Sequence, residues 1–146
     1  MADTGYQWNG DWSYVQKGAG NWNDDALSDN ATETSDAIDL AVATPVASVS
    51  IGITLVEDNT GAIDGVVTVY VLGVVGDDSG ALVYQEPGIG NTWSFTITPV
   101  QNDTVQAKFP IDPRAYDYCK IAILNESGQE LAVTVEYSQC NVPVAS

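Results

Sequence analysis

The chain has 146 residues but no histidine and only four basic side chains, Lys17, Lys108, Arg114 and Lys120. Without histidine there is no Ser–His or Cys–His nucleophile pair, no imidazole metal ligand, and the commonest general base is missing. Four scattered cations cannot displace the counterions from a run of phosphates, so neither nucleic acid nor an anionic membrane is an expected partner. Cysteine is confined to Cys119 and Cys140, without the CxxC spacing of a zinc site. No apolar run approaches the ~20 residues of a membrane helix. There is no Walker A motif, and Gly88-Ile89-Gly90 lacks the third glycine and following helix of a dinucleotide loop. No cofactor is expected.

Acid dominates what is present. There are 20 Asp and Glu, and the formal net charge is -16. Such charge keeps an exterior solvated and draws the chain towards a basic partner surface. Asp24-Asp25, Asp58-Asn59 and Asp77-Asp78 supply oxygen atoms, but none has the spacing of an EF-hand loop, so they read as solvated turns. No pair of carboxylates is singled out for glycoside hydrolysis. We therefore expect no enzymatic activity. The opening residues Met1-Ala2-Asp3-Thr4-Gly5-Tyr6 carry neither a basic start nor an apolar stretch, which predicts first folding in a cytoplasm.

Val, Ala, Ile and Thr are abundant, while Leu, Met, Lys and Arg are scarce, a bias towards strands. Alternation starts after Thr34. Strands are predicted over Ala37 to Val42, Val46 to Val56, Val66 to Val75, Ala81 to Gln85 and Thr92 to Pro99. Others are predicted over Val105 to Phe109, Cys119 to Leu124 and Leu131 to Gln139. Val49, Ile51, Ile53 and Leu55 share one face of the second. Val66 to Val75 is nearly continuous in apolar residues and predicts a strand buried on both faces. Trp93, in an alternating strand, is expected in the core. Asn125-Glu126-Ser127-Gly128 reads as the loop of a final hairpin. If that hairpin closes symmetrically, Cys119 and Cys140 are offset by about 14 Å along a strand. That exceeds the ~7 Å a disulfide spans, so both are expected as free thiols. A single helical turn is allowed near Arg114-Ala115-Tyr116. The pattern is that of an all-β protein, an antiparallel β-sandwich or jelly roll.

Residues 1–34 are different: polar, aromatic, rich in Gly, Asn and Asp, and without a sustained period. We read them as an extended N-terminal arm before a sandwich body at 35–146. Tyr6, Trp8, Trp12, Tyr14 and Trp22 are its large anchors. Either they fold back to cap their own sandwich, or they dock on a neighbouring chain, where Trp and Tyr are favoured. Stacking on sugars is a third use of the same rings. As candidate partner-binding residues, these five are the sites the sequence marks out.

The order of several segments carries a resemblance. They are Thr34-Ser35-Asp36-Ala37-Ile38-Asp39-Leu40, Val56-Glu57-Asp58-Asn59-Thr60-Gly61-Ala62-Ile63-Asp64-Gly65 with the valine-rich strand after it, Phe109-Pro110-Ile111-Asp112-Pro113-Arg114-Ala115-Tyr116-Asp117, and Ala122-Ile123-Leu124-Asn125-Glu126-Ser127-Gly128. From Glu33 to Tyr137 the chain resembles small virion proteins of tailed bacteriophages, of the head decoration (cement) type. The resemblance implies a sandwich or jelly-roll body, commonly a homotrimer, on the capsid exterior. There it would tie neighbouring major capsid proteins together, after synthesis in the host bacterial cytoplasm. The alternative expectation is a phage tail-fibre or baseplate module that binds host glycans.

Overall fold

Long β-branched segments of period two dictate sheets with one apolar face each, and two such faces must close on each other. The computed structural model describes residues 7–8, 12–40, 46–58, 61–112 and 116–141. Among them run fourteen strands, β1 to β14 in chain order, and every pairing is antiparallel.

The first sheet is built on β8 (Val46–Val56), β12 (Thr104–Ile111) and β14 (Leu131–Asn141), in the order β14-β8-β12. Three short strands line the other edge of β14: β1 (Gln7–Trp8), β2 (Ser13–Tyr14) and β5 (Asp25–Leu27). The second sheet is built on β9 (Val67–Asp78) and β13 (Tyr118–Asn125). The free edge of β9 takes β10 (Ala81–Tyr84) and β11 (Trp93–Ile97), and that of β13 takes β6 (Thr32–Thr34) and β7 (Ile38–Asp39). A small hairpin, β3 (Gln16–Lys17) and β4 (Gly20–Asn21), completes the set.

The fold is thus the expected antiparallel sandwich. Val49, Ile51, Ile53 and Leu55 of β8 and Leu131, Val133 and Val135 of β14 face Val67, Val69 and Val71 of β9 and Ile121 and Ile123 of β13 in one core. The strand β12 runs through Pro110 instead of ending before it. It is an edge strand, where a residue without an N–H is tolerated. Of the strand expected over Ala37 to Val42, Ile38–Asp39 is paired, and residues 41–45 lie outside the described residues. So do 113–115, where a helical turn was allowed.

Two expectations need correction. β9 is buried on both faces only at Val71, Leu72 and Gly73; Thr68 and Tyr70 are half-buried, and Val74 and Val75 are exposed. The strand outruns the second layer, so its far end has nothing to pack against. The final pair, β13 and β14, is not a hairpin, since each belongs to a different sheet. The loop between them is an arch from one layer to the other. Asn125, fully buried, holds it: its amide donates to the carbonyls of Leu27 (3.0 Å) and Gln129 (2.7 Å), and its oxygen accepts from the Ser127 hydroxyl (2.6 Å) and N–H (3.0 Å).

The segment before Thr34 is drawn out, but its described part is laid across its own body. Val15 donates to the Val135 carbonyl (2.9 Å), Val135 to Trp22 (3.0 Å) and Trp22 to Val15 (2.9 Å), a closed ring of backbone bonds onto the first sheet. Further on, Ser35 donates to the Ile121 carbonyl (2.8 Å) and its hydroxyl accepts from the Ile121 N–H (2.9 Å), on the second sheet. The segment is a strap between the layers. The β3–β4 turn has positive φ at both Gly18 and Ala19, the mirror-image turn that suits a two-residue hairpin. The Asp36 carboxylate accepts from both their N–H groups, Ala19 at 2.9 Å and Gly18 at 3.0 Å, which lowers its pKa.

The arch also explains Gly65: a Cβ there would stand 2.0 Å from the Glu126 carbonyl oxygen. Gly65→Ala should cost about 1–3 kcal/mol through overpacking. Asn125→Ala should cost about 2–3 kcal/mol by stranding buried carbonyls. Urea denaturation measures both, and a midpoint at the wild-type value for either variant would show that the arch is not pinned in this way.

Candidate functional site

Catalytic and metal chemistry have little material here. Among the described residues no group of three His, Cys, Asp or Glu is placed to hold a metal ion. Cys119 is a free, buried thiol on the inner face of β13. Burial pushes its pKa up to about 12, so it is not a nucleophile at neutral pH. It is unpaired as expected, though the hairpin geometry first used to argue this does not exist. Cys140 lies on β14, in the other sheet.

Two of the basic residues have partners on their own sandwich, and Arg114 lies outside the described residues. Lys17 bridges Asp25 (3.1 Å) and Glu33, and its ammonium lies 5.2 Å from the centre of the Trp22 ring. Desolvation works to lower its pKa, but hydrogen bonds to the carboxylates of Glu33 and Asp25 outweigh it and raise the value. Lys120 lies over Tyr84 at 4.5 Å, on the second sheet. These cations make no stripe for a polyanion.

The aromatic residues marked out by the sequence go to different places. Trp22 is 0% exposed, packed into the core beside Val15 and Leu27. It is not a partner anchor, because its own sandwich uses the ring as filling. Among the described residues its indole N–H has no hydrogen-bond partner. Trp8 pairs by its backbone with Cys140; its side chain, and all of Tyr6, lie outside the described residues. Trp12, 44% exposed, and Tyr14 stay at the surface.

Trp12 lies on the outer face of the first sheet. By register, Tyr14, Glu136, Gly52 and Lys108 form one row across β2, β14, β8 and β12. Gly52 alternates with buried Ile51 and Ile53 and so points outward. A Cβ there would meet Trp12 Cζ3 at 3.3 Å, so the benzo ring rests directly on the glycine. Lys108 Nζ is 5.6 Å from the ring centre. Beside the ring lies an open groove of about 320 Å³, with Thr54, Gln106, Lys108 and Glu136 in its lining.

A second surface sits at the end of the other sheet. Beyond Gly73, β9 has left β13 behind and continues with β10 as a two-stranded ribbon. Its turn, Ser79-Gly80, has positive φ at both residues, and the Gly80 N–H donates to Asp77 Oδ1 (2.8 Å). The register slips between Val83 and Tyr84, a bulge that leaves Val75 opposite no residue and bends the ribbon. Val74, Val75 (63% exposed), Leu82 and Val83 stand in solvent. Tyr116 lines one hollow with Val74, Val75, Gln85, Asn91 and Asp117, and another with Trp93. Trp93, expected in the core, is 46% exposed, with ring centres of Phe95 and Phe109 each 5.5 Å away. It sits on β11, at the edge beside β9, and its ring reaches Phe109 of β12.

Sequence reasoning missed this ribbon and the role of Gly52. The signals were a valine run longer than its strand partners, a Ser-Gly dipeptide, and a lone glycine inside an alternating strand, which marks close approach of another group.

Trp22→Ala should destabilise the chain by about 3–5 kcal/mol, whereas Trp12→Ala should cost under about 1 kcal/mol. Urea midpoints separate them, and equal losses would contradict the placement. The buried thiol adds a pH dependence. Its folded pKa is raised, so its contribution is complete below about pH 9 and is lost between pH 9 and about 12, at about 1.4 kcal/mol per unit. Cys119→Ala should show a shallower fall of stability with pH across that window. Identical slopes would mean that the thiol is not desolvated.

No family model matches the chain, and no curated protein matches it. Among solved structures it is similar to a Family 16 Carbohydrate Binding Module-2, with TM-score 0.41 and 11% identity over 75% of this chain and 70% of that one. It is also similar to dimeric latent PorU from Porphyromonas gingivalis, with TM-score 0.46 and 11% identity over 97% of this chain and 14% of that one.

Proposed function

We propose that this chain is a non-catalytic structural module that docks on the outer surface of a virion shell and ties major capsid proteins together, as a head decoration protein. The observation that carries the reading is the ribbon, whose apolar side chains Val74, Val75, Leu82 and Val83 stand exposed beyond the end of the sandwich, shared between its two faces. Exposed apolar side chains grouped on one short ribbon of an otherwise acidic chain offer anchors for another protein. Each such side chain is worth about 1.5–3 kcal/mol when fully desolvated. Among the described residues the β13-side edge of β9 beyond Gly73 is unpaired and offers backbone groups for strand addition.

The virion setting comes from the sequence resemblance over Glu33 to Tyr137. The net charge of -16 fits this reading, keeping free copies apart and favouring a basic acceptor surface. As a homotrimer, the chain multiplies a modest contact by avidity. With Trp22 committed to its own core, the ribbon is proposed as the docking element in its place.

Co-sedimentation with assembled shells of the virion that encodes the chain tests the reading. Val75→Asp with Leu82→Asp should weaken shell binding by a hundredfold or more while leaving the circular dichroism spectrum intact. Wild-type occupancy by the double variant would remove the ribbon as the dock.

A further inference from the structure

We propose that the outer face of the first sheet around Trp12 is a binding site for a neutral oligosaccharide. The site is separate from the apolar ribbon, and the inference does not depend on it.

A tryptophan that served only packing would bury its ring; this one is 44% exposed on a flat sheet face. It lies low because position 52 is glycine, where a side chain would stand 3.3 Å from Cζ3. The small residue thus makes a shelf for the ring and a groove of about 320 Å³ next to it.

The surroundings then select the ligand. Beside Trp12, Ile53 and Ala107, which give the groove its apolar part, Thr54, Gln106, Lys108 and Glu136 supply hydrogen-bonding groups of both kinds, donors and acceptors. Another protein's apolar surface would strand these groups dry, at a cost. One cation and one anion among them cancel, so the site favours no charged ligand. The chain's net charge of -16 further disfavours polyanions. A suitable ligand is uncharged, has one apolar C–H face to lie against an indole, and carries many hydroxyls that both donate and accept. Those are the properties of a pyranose ring. The row from Tyr14 to Lys108 crosses three inter-strand gaps, about 14 Å. That is longer than one sugar ring, so the site suits an oligosaccharide chain. Glycan binding was the alternative expectation from the sequence, and this face supplies the framework that the sequence alone did not show.

Native affinity electrophoresis of the full chain tests the inference, in gels containing dextran, hydroxyethylcellulose, mannan or arabinogalactan, with alginate as the anionic control. At least one neutral gel should retard the wild-type protein. Trp12→Ala, and Gly52→Val, which lifts the ring off its shelf, should each weaken that retardation at least tenfold with unchanged urea midpoints. Val100→Ala, an exposed change far from the groove, should leave it as it is. Absence of retardation in every neutral gel overturns the inference, as does equal retardation of Trp12→Ala or equal retardation by alginate.

Discussion

Trp22 fills the interior on the side where the strap crosses between the sheets, and the placement of Trp12 and Tyr14 follows from that. Its backbone is tied to Val15 and Val135, its ring is fully buried, and Lys17 with Asp25 and Glu33 closes over it. Among the described residues the indole N–H has no partner, and burial of a full tryptophan ring is the gain that offsets it. Once Trp22 and Leu27 are inside, the strap runs from the first sheet at Val135 to the second at Ile121. Trp12 and Tyr14 are carried with it onto the outer face of the first sheet.

That arrangement divides the molecule by chemistry. One face of the first sheet is polar, with an aromatic ring lying on Gly52. The far end of the second sheet is an apolar ribbon that has outrun its partners. The two surfaces differ in what they can desolvate without loss: hydroxyl-rich ligands on the first, hydrocarbon on the second. A shell protein with a second, sugar-binding face is consistent with both.

The crossing loops explain why local pattern reading failed at the end of the chain. β8 and β9, β11 and β12, and β13 and β14 are consecutive long strands lying in different sheets. A turn-rich loop such as Asn125 to Gly128 looks the same in sequence whether it reverses within a sheet or arches between two. The difference is made by Asn125, whose amide reaches Leu27 on the strap, a contact 98 residues away. Gly65, pressed against the Glu126 carbonyl, comes from yet another part of the chain.

The sequence by itself determined the all-β class, the inward faces of β8 and β14, the absence of histidine chemistry and the strongly acidic surface. Each of these depends on composition or on a period of two, which are local properties. Only the tertiary structure decided that Trp22 is core and Trp12 is surface, although both belong to the same polar, aperiodic segment. It also decided that Trp93 stands half in solvent and that Val74 and Val75 pass beyond the second layer. The reason is that burial belongs to the neighbour and not to the residue. A tryptophan or valine is inside only where another layer reaches it, and the reach of each layer is set by pairings between residues far apart along the chain.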